Sequence, residues 1–264
     1  MMHYHPDTGP AAPDLGWIPA PRYLLRRARL LSAMKGLQGQ VLEIGCGTGA
    51  LLLDLKHMGF DVTGLDTSEQ ASRISKELLK GHEIPVTTSP RADWKGRFDI
   101  ILACEVLEHI EDDAAALEEW LQWLKPHGTL IITVPAHQYL WNENDVWAGH
   151  FRRYDAASLT DALEKANLQP KDIVYYGFPV ATVTEQINGM IKARRRRRSG
   201  TVAGEDMAAN TARSGADRKD VLWVWPILSC VAGRWMFKLF DLLQRLPFTG
   251  KFSGGLIAVA RPND

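Results

Sequence analysis

Residues 104–113 read CEVLEHIEDD, and Glu105, Glu108 and His109 within them carry chemistry. In a helix, the spacing i, i+3, i+4 puts all three side chains on one face. Two carboxylates and an imidazole suit three tasks. They can ligate Mg2+, Mn2+, Fe2+ or Zn2+. A metal so held would bind a substrate hydroxyl and lower its pKa. His109 alone can act as a general base. Or the acids can simply favour a helix start. These residues alone leave all three readings open.

A second constellation lies upstream. The apolar run VLEIG leads into GCGTG, with glycines at 45, 47 and 49. Glycines there let the backbone turn sharply and approach a ligand at a helix N-terminus. A dinucleotide loop would need G-x-G-x-x-G. Here the third glycine comes one residue early, and Glu43 precedes the loop. An acid in that place repels pyrophosphate but suits a ligand carrying an ammonium and a sulfonium. Asp66, about twenty residues on, can accept hydrogen bonds from two ribose hydroxyls, with Thr67 beside it. Asp93 can accept from an adenine amino group, and Trp94 can offer its backbone N–H to the ring.

The elements that must hold these residues alternate along the chain. Strands are expected at 41–45, 60–66, 84–88, 98–103, 129–135, 171–179 and 254–261. Helices are expected at 21–34, at 49–58, from Ser68 through Lys80, at 112–124 and at 156–167. KPHG (125–128) reads as a turn. Near-continuous apolar strands between helices predict a largely parallel sheet covered on both faces, an α/β fold. In open sheets of this kind, ligands bind at the carboxyl ends of the strands. CEVLEH lies at such an end.

The ordered set VLEIGCGTG, GLD, ADW, FDIILACEVLEH and LKPHGTLIITVP resembles the class I S-adenosylmethionine-dependent methyltransferases, closely over 40–135 and more loosely to 261. The resemblance implies a Rossmann-like, seven-stranded, mostly parallel sheet whose last strand is reversed. It implies that Glu43, Gly45, Cys46, Gly47 and Gly49 line the methionine end of the cofactor. Asp66 then takes the ribose, Asp93 and Trp94 the adenine, and Cys104 sits beside the cofactor. E-x-x-E-H at this place is similar to two subgroups, the ubiquinone-pathway O-methyltransferases and the small-RNA 3′-terminal 2′-O-methyltransferases. In the second, the trio and a later histidine bind metal. His150, in WNENDVWAGHFRRYD, stands where that histidine is expected. His109 and His150 are therefore the catalytic candidates, and Glu105, Glu108, His109 and His150 the candidate metal ligands. His137 is a further candidate base or a loop histidine. Trp147, Arg152, Arg153 and Tyr154 form either an acceptor pocket, with an arginine meeting an acidic group, or a packed lid.

The chain has 264 residues, 45% hydrophobic and 23% charged, with zero formal net charge. That balance speaks against a broad nucleic-acid surface. Cysteines 46, 104 and 230 form no ligand-spaced pair, which suits a reducing compartment. The N-terminal residues lack the apolar core of a secretory signal. Residues 1–20 read as a loose arm. The expected organisation is an arm and helix over 1–36, a cofactor-binding core over 37–180 and 251–264, and an α-helical insertion over 181–250 before the last strand. Within the insertion, 192–220, which hold KARRRRRSG and a stretch of Ala, Gly, Ser, Asp and Asn, read as a flexible basic linker, and 221–246 as an aromatic, basic, amphipathic helix. VLWVWPILSCVAG (221–233) is too short to span a bilayer. The segment 192–246 is a candidate for peripheral contact with the inner face of a membrane.

The sequence thus supports a cytoplasmic enzyme methylating a hydroxyl on a small, lipophilic or quinone-like acceptor. The rivals are methylation of an RNA terminus and cofactor binding without turnover.

Overall fold

The computed structural model describes residues 2–199 and 218–263. Of the expected flexible linker, 200–217 lie outside them, while 192–199 are helical rather than flexible.

Seven strands form the central sheet: β1 (Gln40–Ile44), β2 (Asp61–Leu65), β3 (Val86–Thr87), β4 (Phe98–Cys104), β5 (Leu124–Pro135), β6 (Leu168–Tyr176) and β7 (Gly255–Pro262). Their order is 3-2-1-4-5-7-6. The first five pair in parallel. The last strand, β7, slots antiparallel between β5 and β6. The sheet is therefore completed from the far side of the insertion, as the resemblance implied.

Alternation along each strand feeds two apolar layers. Ile101 and Ala103 of β4 face one cluster, and Ile100, Leu102 and Cys104 face the other. Helices α1 (Pro21–Ala33), α2 (Ala50–His57) and α3 (Glu69–Leu78) cover one face. Helices α4 (Asp113–Trp123) and α6 (Ala156–Lys165) cover the other. Local chemistry sets the helix starts. Pro21 opens α1, Ser68 caps α3, Asp112 caps α4, and Asp155 caps α6 in a reciprocal box with Ser158. A short helix, α5 (Glu143–Ala148), crosses above the carboxyl edge, capped by Asn142 and Asp145.

Two expectations need correction. Residues 2–20 are not a loose arm. They form a hairpin, His3–His5 against Gly9–Ala11, and bury Trp17 and Ile18. The buried Arg27–Asp54 pair pins it, because Arg27 also donates to the carbonyls of Pro6 and Asp7. KPHG lies inside the bounds of β5, yet the ladder to β4 skips from Leu124 to Thr129. Those four residues stand outside the pairing with β4, which is what their turn-like composition favours.

The insertion returns to the body as helices α7 (Val180–Ser199), α8 (Trp225–Ser229) and α9 (Val231–Leu243). They form a third layer outside α1, where Leu24, Leu25, Ala181, Leu228 and Phe237 are buried together. Among the described residues, no helix is long and apolar enough to cross a membrane.

Candidate functional site

The carboxyl ends of β1, β2, β4 and β5 converge on one edge of the sheet. β1 ends in the glycine loop. The amides of Gly45 and Cys46 donate to the Leu65 carbonyl at the end of β2. The amide of Gly47 donates to Asp66 Oδ2 at 2.6 Å, and that of Ser68 to Asp66 Oδ1 at 2.8 Å. Gly47 has φ +55°, and a Cβ built there would meet nothing within 4 Å. The loop thus presents bare backbone to open space. Glu43 lies beneath it, buried, with no hydrogen-bond partner for Oε2. Burial pushes its carboxyl up to about 8 against the opposing pull of Arg26, with Asp66 adding to the rise. An unpartnered buried acid beside an open glycine cradle fits a ligand whose near end is cationic. Cys46 and Cys104 line the interior, and burial holds both thiols protonated, Cys104 at about 12.

The adenine side departs from expectation. Trp94 is buried edge-on against Phe98 and Trp123, and its backbone N–H donates to the Arg91 carbonyl. Asp93 is exposed and held by Arg91 and Arg97. Both groups expected to read an adenine ring are therefore engaged within the ADW turn itself. Thr67 is exposed beside Asp66.

CEVLEH is not an α-helix. The chain leaves β4 through Glu105 in the left-handed region, φ +58°, and then makes a single 3-10 turn over Leu107–His109. This splits the trio. Glu105 turns toward α1 and β6. It accepts from Arg22 Nη2 at 2.6 Å, Tyr176 Oη at 2.6 Å and Thr133 Oγ1 at 3.2 Å. Burial pushes its carboxyl up, but Arg22 and Arg26 outweigh this and hold it at about 2. Glu105, expected as a metal ligand, is spent on these partners.

Glu108 and His109 meet His150 instead. Each of the three offers a ligand atom, and these atoms all lie within 4.8 Å of one another. The rings of His109 and His150 meet edge-on, centroids 4.7 Å apart. His150 Nε2 is 4.0 Å from Glu108 Oε1, too long for a hydrogen bond. Neither oxygen of fully buried Glu108, nor His109 Nδ1, has a partner. Burial raises the Glu108 carboxyl well above its ordinary range, with Glu105 adding to the rise. Burial, then His150, pushes His109 down to about 4. Two unpartnered carboxylate oxygens and an unpartnered imidazole nitrogen, with His150 beside them, fit a divalent cation by donor type and by spacing.

Asp145, Glu185 and Arg22, which sequence reasoning missed, and Arg153, which it placed in the acceptor pocket or lid, hold this cluster. His150 Nδ1 is 2.8 Å from Asp145 Oδ1, which leaves Nε2 toward Glu108 as the free nitrogen. Buried Arg153 clamps Asp145 through Nε and Nη2, both at 2.8 Å, and also pairs with Glu185 of α7. Glu185 in turn accepts from Arg22 Nη1 at 2.6 Å. A chain of charges thus runs from α1 through the insertion helix to His150. Its sequence signal was faint: arginines at 22 and 26 within the otherwise amphipathic α1, and one acid in α7.

The expected acceptor pocket is also rearranged. Arg153 is wholly buried in that chain, and Arg152 pairs with Asp113 at 2.7 Å, as does the Tyr154 hydroxyl. Neither arginine is presented to an acidic acceptor. Trp147 lies under the Lys192 ammonium of α7, 3.5 Å from the ring centroid. His137, with φ +60°, stacks between Tyr139 and Tyr175 and bonds the Gly250 carbonyl through Nε2 at 2.8 Å. It serves as a loop histidine.

A family profile described as "Methyltransferase domain" matches residues 18–172, more than half of the chain and every element of this edge. The chain belongs to this family. Its strand order and reversed last strand are those of the class I S-adenosylmethionine-dependent methyltransferases. Ubiquinone biosynthesis O-methyltransferases resemble this chain in sequence. That of Bradyrhizobium diazoefficiens is 37% identical over 125 residues, 45% of this chain and 49% of its own length. That of Nitrobacter winogradskyi is 40% identical over 111 residues, 40% and 41% of the two chains. The chain thus spans about half the length of the curated relatives it matches, or less. In structure, phosphoethanolamine N-methyltransferase 2 of Haemonchus contortus, solved with S-adenosyl-L-methionine, aligns at TM-score 0.53 and 15% identity, over 90% of this chain and 52% of that one. The [4+2]-cyclase SpnF aligns at 0.54 and 18%, over 90% and 81%. These two share the fold.

Proposed function

We propose that this chain transfers a methyl group from S-adenosylmethionine to a hydroxyl of a small, lipophilic or quinone-like acceptor. The observation that carries the reading is the cluster of Glu108, His109 and His150, at the strand edge that also holds the Glu43 cradle. When bound, S-adenosylmethionine supplies an electrophilic methyl carbon beside a sulfonium. Glu43 meets its cationic end, the bare backbone at Gly47 leaves room for it, and Asp66 accepts from its ribose. Glu108, His109 and His150 would hold a divalent cation, which supplies Lewis acidity toward the acceptor oxygen. With His109 and His150 committed to that cation, the hydroxyl proton would leave to solvent, and Asp145 fixes the orientation of His150. Catalysis then rests on alignment and deprotonation.

The proposed partners are the acceptor and, through 192–246, a membrane surface. The proposed location is the cytoplasm, and cysteines 46, 104 and 230, all free, agree with it.

The test is S-adenosylhomocysteine formation by the purified chain with hydroxylated aromatic acceptors, alongside metal analysis of the same sample. The expected result is turnover with bound metal, both lost in Glu108→Gln and His150→Ala. Turnover that survives both substitutions would refute the assignment of the cluster.

A further inference from the structure

Helix α9 is apolar on two opposite faces. At about 100° per residue, Val231, Trp235, Leu239 and Leu242 fall within one stripe, and they are 62%, 67%, 55% and 63% exposed. The far side carries Gly233, Phe237 and Gln244, buried against the body. A helix that already has its core contact does not need a second apolar face in water. Helix α7 repeats the pattern. Ala181 and Gly189 face inward with Glu185, while Val183, Ile187, Met190 and Ile191 form an exposed stripe that runs on to exposed Arg194 and Arg197. Trp223, Phe248 and Phe252 add exposed aromatics on the adjoining segments.

Charge selects the partner. Residues 180–199 hold six basic residues against one acid, and 219–252 hold five against two, in a chain of zero formal net charge. Along one edge of the α9 stripe stand Arg234, Lys238 and Arg245, with Asp241 as the one acid among them. The Lys238 ammonium lies 5.2 Å from the Trp235 ring centroid. Lys238 pairs with Asp7 and Arg245 with Asp241, yet their side chains stay 50% and 37% exposed. A second copy of the chain would bring an equally cationic surface to this one. A nucleic acid would leave the aliphatic stripes wet. An anionic bilayer surface covers the stripes and meets the cations at once.

We propose that the exposed faces of α7 and α9 form a docking surface for an anionic lipid bilayer, with the apolar stripes entering the headgroup boundary and the basic edge lying on the phosphates. This rests on the membrane contact proposed above and extends it to the outer face of α7 at 183–191; it does not depend on the methyl-transfer chemistry. It also gives α7 two roles, because the opposite side of that helix reaches His150 through Glu185 and Arg153.

The test is flotation of the full chain with vesicles of phosphatidylcholine alone or mixed with phosphatidylglycerol, at low and high salt. The expected result is at least tenfold more protein on the anionic vesicles, weakened by salt. Trp235→Glu with Leu239→Glu, and separately Val183→Glu with Ile187→Glu, should each cut this at least tenfold. Both pairs are exposed, so melting temperature and S-adenosylmethionine binding should stay at wild-type values. Wild type failing to float, or both double variants floating like wild type, would overturn the proposal. So would a stable dimer that the Trp235/Leu239 variant dissociates and vesicles do not. Flotation without methyl transfer in solution would count against the function reading alone.

Discussion

Glu43 is the residue whose state reports most directly on the cradle. Its carboxyl sits at about 8 in the folded protein, above the ordinary carboxylate value near 4.5. A group raised on folding gives stability that is fully present below its unfolded pKa. That stability is lost as pH rises through the folded value, at about 1.4 kcal/mol per unit of pKa difference. Glu43→Gln should therefore melt above wild type at pH 8.5, and the difference should vanish near pH 4, as scanning calorimetry would measure. The same substitution should weaken S-adenosylmethionine binding roughly tenfold or more, because a charge-assisted contact contributes about 1.5–3 kcal/mol. Arg22→Ala is expected to cost about 1.5–3 kcal/mol by chemical denaturation, since half-buried Glu105 loses its shortest charged partner but keeps Arg26, Tyr176 and Thr133. The residue types at 105, 108 and 109 were legible in the sequence, and their partition was not. A left-handed turn at Glu105 sends one carboxylate toward an arginine far upstream. Spacing rules that assume a helix contain no such partner.

At the scale of elements, the strands and capped helices were readable because local signals agree with the fold. Apolar runs ended at glycines and prolines, and Ser68, Asp112 and Asp155 stood where caps belong. What escaped is contact between distant elements. Helix α7 reaches α5 through Asn144 Nδ2, which donates to the Glu185 carbonyl at 2.7 Å, and the turn before α5 through Gln186, which donates to the Leu140 carbonyl. Its Glu185 side chain supports Arg153, which supports Asp145 and His150. Outer partners of this kind typically matter by about 10–100-fold in metal affinity or activity. At the proposed cation site, Glu185→Gln is therefore expected to weaken Co2+ binding about tenfold while leaving the circular dichroism spectrum unchanged; titration with Co2+, followed by its visible absorption, checks this, and absence of Co2+ binding by the wild type would refute the site.

On the scale of the whole molecule, the insertion leaves and rejoins the sheet at one point. A Cβ at Gly177 would lie 3.7 Å from the amide of Gly254. The core could close without the insertion, but α1 could not stay covered, because Leu24 and Leu25 bury against Ala181, Leu228 and Phe237. Joining Gly177 to Gly254 by a short linker should leave a folded sheet with a lowered melting temperature and exposed apolar surface, read as increased binding of a hydrophobic dye. The fold class was legible because strand–helix alternation is a property of the entire chain. The packing of the insertion on α1 was not, because apolar residues at 221–243 look alike whether they face a core or a bilayer.

Calorimetric titration of the purified chain with S-adenosylmethionine tests the central claim most directly. The account predicts one-to-one binding with net proton release at pH 7, as Glu43 ionises against a cationic ligand, and loss of binding in Gly47→Arg, whose side chain fills the open cradle. No binding by the wild type, or unchanged binding by Gly47→Arg, would contradict it.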